Sequence, residues 1–277
     1  MDALDIAVAH AMRDAAHRAI MPRFTAGQPI AADFKSAGEA VTAADRESEA
    51  ILAEWLAPLI PGAGIVGEEA AHHDPGLLSA LAQGTCWIID PLDGTGNFAK
   101  GLEPFGMLVA LADGGVPVAG WLLDPLSGRF CSAQAGKGAM VDGARFTVPA
   151  DANERLIVAV TRLFADQARR AALLESLGRT CDVVDSPRCA ADQYPRVATG
   201  EHDATLFTRT IAWDHAAGVV FLNEAGGRAR RQDGSGYRCD DADAGLIIAS
   251  SAARWDYVAD ALEQSGMVLG RAHLSDA

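Results

Sequence analysis

The chain is poor in cysteine and in positive charge. Its 277 residues include five cysteines, Cys86, Cys131, Cys181, Cys189 and Cys239, an odd number with no C-x-x-C pair. Neither a disulfide framework nor a thiolate zinc site is expected from that count, and reduced, buried thiols in a cytoplasmic protein fit it better. Lysine and arginine number 23 against 37 aspartates and glutamates, a formal net charge of −14. The clustered bases that a nucleic-acid backbone or an anionic membrane requires are therefore missing. No apolar run approaches the ~20 residues of a membrane span. The segment Met1-Asp2-Ala3-Leu4-Asp5 has acids where a secretory signal has bases. A soluble globular protein is expected, with 49% hydrophobic residues to build one large domain or two coupled halves.

Three catalytic signatures are also lacking. Around Gly136-Lys137-Gly138, Cys131 stands where a P-loop needs its first glycine and Gly138 where it needs Ser or Thr. The run Asp90-Pro91-Leu92-Asp93-Gly94-Thr95 is one residue too long for the D-x-D-G-T of a haloacid-type phosphatase, which re-aims its two carboxylates. No G-x-S-x-G elbow occurs. The seven histidines are scattered, and His72-His73 falls in a polar stretch.

What is present is a change of rhythm along the chain. Leu4, Val8, Ala11 and Ala15 recur at helical spacing, which predicts an amphipathic helix over 3–22. Residues 25–40 are polar and broken by Pro29 and Gly38, which predicts a mobile loop. Thr42 to Asp45 reads as a helix start, with Ile51, Leu52, Trp55 and Leu56 as its buried stripe and Pro58 and Pro61-Gly62 as its end. Strands follow at Ile65-Val66 and Cys86–Ile89, then an antiparallel meander over 105–148. From Leu156 onward strands (156–160, 181–184, 204–207, 245–249) alternate with helices (165–177, 188–199, 214–225, 251–264). The class is α/β with an α+β N-terminal half. A soft boundary near 150 divides 1–150 from 151–277, and the two halves are expected to share one site.

Acids fall where strands end or helices begin: Glu68 and Glu69 after Ile65-Val66, Asp90 and Asp93 after Trp87–Ile89, Asp214 opening a helix and Asp45 in the first turn of another. Each has a plain explanation. Asp45 suits a capping box with Thr42, Asp214 an N-cap, Glu68-Glu69 a solvated pair, and Asp90-Pro91 a turn. Together they also make a set of hard oxygen ligands suited to Mg²⁺, held on strand ends. A carboxylate-held divalent ion is the simplest way for so acidic a chain to accept a small anionic substrate. Gly94 permits a tight turn, and Thr95 can begin a helix whose N–H groups face an anion. Residues 90–97 thus hold two carboxylates, an anion cradle and a hydroxyl, the equipment for metal-assisted attack of water on a phosphate ester.

Val41–Asp45, Gly67-Glu68-Glu69, Trp87–Phe98 and Trp213-Asp214-His215-Ala216-Ala217-Gly218, continuing to Glu224–Gly227, resemble the inositol monophosphatase family of Mg²⁺-dependent, lithium-sensitive phosphatases. The resemblance implies a layered αβαβα fold, a homodimer, and hydrolysis of a small phosphorylated metabolite, inositol monophosphate by default. It implies one Mg²⁺ on Glu68, Asp90 and the Leu92 carbonyl, and a second on Asp90, Asp93 and Asp214. Thr95 and Asp45 would orient and deprotonate the attacking water beside Glu68. The Gly94 and Thr95 amides, with Asp93 and Asp214, would hold the phosphate. Lys35 matches a lysine of the family's mobile loop, which closes over the metals and helps a third ion bind.

One departure concerns the alcohol. Phe207 stands where inositol-cleaving members carry a glutamate for ring hydroxyls, and phenylalanine accepts no hydrogen bond. Arg209 beside it can meet an anionic or polar group or pair with a surface acid, and Arg188-Cys189 replaces the more usual Gly-Ser. The same chemistry on a nucleotide 3′-phosphate, histidinol phosphate or a sugar phosphate is therefore a competing expectation. A catalytically silent metal- or anion-binding regulator is the third, opposed by retention of every ligand and of Thr95.

Overall fold

The computed structural model describes residues 1–36, 39–150, 155–160, 167–242 and 244–270. Helix α1 (Ala3–Ala15) starts from Asp2, whose side chain accepts the Leu4 and Asp5 amides, and continues through a π turn at Ala16–Ile20. A short hairpin of β1 (Asp33–Ser36) and β2 (Glu39–Val41) follows. Residues 25–40 are therefore not the uninterrupted loop that their composition predicts. Four- and three-residue polar strands leave no hydrophobic period to detect, and their pairing comes from backbone bonds alone.

Helix α2 (Ala43–Leu56), β3 (Gly64–Gly67), α3 (Glu68–His73) and β4 (Thr85–Asp93) come next. After α4 (Thr95–Phe98) the meander runs through β5 (Gly106–Asp113), β6 (Val116–Leu123), β7 (Phe130–Gln134), β8 (Gly138–Val141) and β9 (Ala144–Phe146). These strands form one seven-stranded sheet in chain order, with β3 parallel to β4 and the rest antiparallel.

The remaining elements are β10 (Leu156–Val160), α5 (Gln167–Gly178), β11 (Cys181–Asp185), α6 (Ala190–Thr199), β12 (Ala204–Phe207), α7 (Ala212–Glu224), β13 (Arg228–Arg230), β14 (Leu246–Ala249) and α8 (Ala252–Gln264). Residues 165 and 166 of the helix expected over 165–177 lie outside the described residues. The second sheet, β11-β10-β12-β14-β13, is parallel at β11, β10 and β12 and antiparallel at β14 and β13. Strand β13 escapes a sequence reading because Arg-Ala-Arg buries only its middle residue.

Strand alternation sorts these elements into five layers. Trp87, Ile89, Met107, Val109, Trp121 and Leu123 turn to α1 and α2. Their neighbours Ile88, Leu108, Ala110 and Leu122 turn the other way, to α6 and α7, where Leu246 and Ile248 of the second sheet arrive from the far side. Ile247, Ala249, Val158, Val160 and Leu206 face α5 and α8 across Leu173, Leu177, Trp255, Val258 and Leu262. Strands buried on both faces read as unbroken apolar runs, which is why Cys86–Ile89 and Leu246–Ala249 stand out. The order is α, β, α, β, α, the α/β arrangement expected. No helix among the described residues is long and apolar enough to cross a membrane.

Candidate active site

Parallel strands β3 and β4 end at the same edge of the first sheet, with Gly67 beside Ile89. Each strand hands its chain to a helix there, so each delivers acids at a rigid point. Glu68 is the first residue of α3. Strand β4 runs past Asp90 and is irregular between Asp90 and Asp93, a local offset that stands the two carboxylates apart. Gly94 then adopts a left-handed conformation (φ +81°) and α4 begins at Thr95. From the middle layer, α7 brings Asp214 in its first turn. It begins at Ala212 after Ile211, so Asp214 is not its N-cap. Glu68, Asp90, Leu92, Asp93, Gly94, Thr95 and Asp214 all line one cleft of about 380 Å³.

Hydrogen bonds fix most of these groups. Asp45 does two things: Oδ2 accepts the Thr42 amide and hydroxyl, each at 2.7 Å, while Oδ1 lies 3.0 Å from the Thr95 hydroxyl. One oxygen thus serves the capping box with Thr42 and the other meets Thr95 at the cleft. The Thr95 hydroxyl is also 2.8 Å from the Leu92 carbonyl. Asp90 Oδ1 accepts the Leu92 amide at 3.1 Å. Asp93 Oδ2 accepts the Ala191 amide at 2.7 Å, tying β4 to the start of α6. Behind Glu68, the buried Glu49 of α2 accepts the Glu69 and Ala70 amides, each at 2.8 Å. It thereby caps the helix that carries Glu68. Gly67 is required there, since a Cβ on it would overlap the Glu49 carboxylate.

The electrostatics are those of crowded like charges. Asp90 is 1% exposed, and its carboxyl is pushed well above the usual range by burial first and then by Glu68, Asp93, Asp214 and Asp45. Burial lifts Asp93 to about 6 against the opposing Ala191 amide. Burial also raises Asp45 despite its bonds to Thr42 and Thr95. Among the described residues no three His, Cys, Asp or Glu side chains form a closed ligand cluster; the acids line the cleft as separate arms. Their chemistry, oxygen donors of one sign in a poorly solvated place, fits a hard divalent cation.

The opposite wall is of another character. Phe207, Thr208 and Arg209 line it with Arg188, Gln193 and His215. Arg188 holds φ +60°, just before the turn into α6. His215 packs edge-on against Phe207 with ring centroids 4.5 Å apart. Burial first, and then Arg231, lowers its pKa to about 3, so it is neutral. Gln193 donates to the Thr205 hydroxyl at 2.6 Å, and its buried Oε1 has no partner among the described residues.

A model of the inositol monophosphatase family matches residues 2–266. The chain belongs to that family. It is 33% identical to the histidinol-phosphatase of Mycobacterium tuberculosis over 236 residues, covering 83% of this chain and 88% of that one. To the inositol-1-monophosphatase of Mycobacterium leprae it is 33% identical over 232 residues, 81% and 78% of the two chains. The solved suhB protein of Bartonella henselae superposes with a TM-score of 0.81 at 24% identity, over 95% of this chain and 99% of that one, which establishes the fold. As a member of the inositol monophosphatase family with these relatives, the chain is a phosphoric monoester hydrolase.

Every site residue expected from the sequence except two lines the cleft directly. Asp45 reaches it through Thr95. Lys35 lies on β1, whose partner strand β2 contributes Ala40 to the cleft rim, while its side chain lies outside the described residues. Glu49, Gln193 and His215 were missed. For Glu49 a signal existed: it follows Asp45 by four residues, hence on the same helix face.

Proposed function

We propose that this inositol monophosphatase family member hydrolyses a small phosphate monoester with two Mg²⁺ ions, held by Glu68, Asp90, the Leu92 carbonyl, Asp93 and Asp214. A third ion would bind with the help of the Lys35 hairpin. The observation that carries the reading is the Thr95 hydroxyl, 3.0 Å from the Asp45 carboxylate, beside four cleft acids. Bound there, Mg²⁺ would offset the charge that develops on the phosphoryl oxygens and acidify the attacking water. Thr95 orients that water beside Glu68, and its proton passes through the Thr95 hydroxyl to Asp45. The water oxygen bonds to phosphorus, the ester P–O bond breaks, and the alkoxide takes a proton from a solvent water to leave as the alcohol, the hydroxide so formed being neutralised when Asp45 returns its proton to solvent. The Gly94 and Thr95 amides, where the chain turns from β4 into α4, hold the phosphate with Asp93 and Asp214. Residues 1–150 and 151–277 complete this site together. Lithium inhibition, a homodimer and a cytoplasmic location accompany the reading; five buried, unpaired cysteines support the last.

The alcohol is where a second observation intervenes. Inositol monophosphate is the family default, yet Phe207 gives its hydroxyls no acceptor, and a buried, unmet hydroxyl costs ~1–3 kcal/mol. The Phe207 wall suits an alcohol with an apolar or aromatic face, as in a nucleotide 3′-phosphate or histidinol phosphate. Inorganic phosphate release from these three esters, compared by kcat/KM on the wild type and on Phe207→Glu, tests this reading. We expect the substitution to raise the inositol monophosphate ratio by roughly tenfold or more. A wild type that already strongly prefers inositol monophosphate, or a flat ratio, returns the inositol reading. Release from none of the three, nor from a sugar phosphate, removes the phosphatase assignment.

A further inference from the structure

Behind Phe207 lie two side chains that the hydrolysis does not use. Tyr194 of α6 is 0% exposed and His215 of α7 is 2% exposed, and the Tyr194 hydroxyl is 3.0 Å from His215 Nδ1. The imidazole also bonds the backbone of Arg209, and that bond favours the protonated ring. The ring nitrogen is therefore the donor and the Arg209 carbonyl the acceptor, which leaves Nδ1 as acceptor for the Tyr194 hydroxyl. The Tyr194 ring is held in turn by α7, because any side chain at Gly218 would overlap it. It stacks on Phe207 at 6.1 Å between centroids, while His215 meets Phe207 edge-on at 4.5 Å. Between Phe207, the last residue of β12, and Ile211, before α7, the chain makes no regular structure. On the side away from the cleft it is tied by Thr210, which bonds Ala242 and Ala244. On the cleft side it is tied by His215.

We propose that His215 is the positioning residue of the leaving-group wall: held between Tyr194 and the Arg209 carbonyl, it fixes residues 207–211 against the first turn of α7 and so sets which alcohol the cleft accepts. Phe207 and Arg209, which meet the alcohol, then move as one unit with His215, while the phosphate end rests on β4, α4 and Asp214, whose place is set by the α7 backbone rather than by the 207–211 segment. The inference builds on the reading that the cleft binds a phosphate ester. It differs from a general structural role in one respect: loosening His215 alters discrimination between alcohols and spares the phosphate end.

The test uses two esters, inositol monophosphate and a nucleoside 3′-phosphate, with inorganic phosphate as a competitive inhibitor that reads the phosphate end alone. His215→Phe keeps a ring against Phe207 and loses both hydrogen bonds. Tyr194→Phe loses one, and His215→Gln can restore an N–H to the Arg209 carbonyl. Each neutral hydrogen bond corresponds to about twofold to tenfold in binding. His215→Phe is expected to change the kcat/KM ratio of the two esters about tenfold, chiefly through KM, with the phosphate inhibition constant within about twofold of wild type. Tyr194→Phe should shift the ratio the same way by about threefold, and His215→Gln should recover part of the loss. Unchanged ratios in both His215→Phe and Tyr194→Phe would overturn the proposal. So would equal losses for both esters and for inorganic phosphate, the signature of general damage to the site. A wild type that cleaves neither ester would overturn this inference, and one that cleaves no phosphate monoester at all would overturn the phosphatase reading beneath it.

Discussion

Replacing Asp90 by Asn should make the metal-free protein more stable while abolishing its activity. The carboxylate is buried among Glu68, Asp93, Asp214 and Asp45, all of which push its pKa upward after burial itself. Asn keeps the one bond that Asp90 Oδ1 makes, from the Leu92 amide at 3.1 Å, and offers an N–H to the surrounding acids. Asp93 supplies a yardstick: its shift from 3.8 to about 6 corresponds to a cost on the order of 3 kcal/mol at neutral pH, at about 1.4 kcal/mol per unit. Asp90, nearly inaccessible, is pushed in the same direction by burial and by its four acidic neighbours. For 277 residues at about 2.1 cal/mol/K each, a cost of the Asp93 size corresponds to roughly 5 °C in Tm, and Asp90→Asn should move Tm upward in the same sense. The sign with pH follows from the raised carboxyls. The folded state keeps protons that the unfolded chain releases, so this contribution is fully present below about pH 4 and is lost as pH rises through about 6. Calorimetric scans of wild type and Asp90→Asn in chelator, at several pH values from 4 to 7.5, read the difference directly. Added Mg²⁺ should raise the wild-type Tm at neutral pH and leave the variant unmoved. A variant less stable than wild type in chelator at pH 7, or one equally stabilised by Mg²⁺, would refute the argument.

Thr95→Ala should lower kcat by at least about 10²-fold with little change in KM, since it removes the hydroxyl beside Asp45 and leaves the α4 amides in place; a loss confined to KM in steady-state kinetics would make Thr95 a binding residue only. Glu49→Gln should raise the Mg²⁺ concentration for half-maximal activity, because the Glu69 and Ala70 N–H groups meet different oxygens of Glu49 and Gln puts an NH₂ donor in place of one of them. Gly67→Ala should do the same more severely and lower Tm by several degrees, by displacing the Glu49 carboxylate; Mg²⁺ titrations of activity on both variants check this.

What could be read in advance was what local chemistry determines. The Thr42–Asp45 helix start, the left-handed Gly94 and the apolar runs of the central strands each follow from a few adjacent residues, and each is present. The acids at strand ends could be named for the same reason, since a strand followed by a helix places its junction residues at a sheet edge. Pairings between distant segments could not be read. The β1–β2 hairpin is too short and polar to show a period. The antiparallel placement of β14 between β12 and β13 depends on which apolar faces meet. His215 was visible within the Trp213–Gly218 motif, but its role depends on Tyr194, 21 residues away in sequence, and on the Arg209 carbonyl in the segment that follows β12. Asp203, just before β12, and Arg254 of α8 form a buried ion pair, a further case of partners that only the fold brings together.

The central claim is that the cleft acids form a cation-dependent phosphoesterase centre. Its most direct test is inorganic phosphate release from a small phosphate monoester by the purified chain, first in excess chelator and then as Mg²⁺ is added back. The account predicts no turnover in chelator and saturable recovery with Mg²⁺, absent in Asp90→Asn. Full turnover in chelator would contradict it.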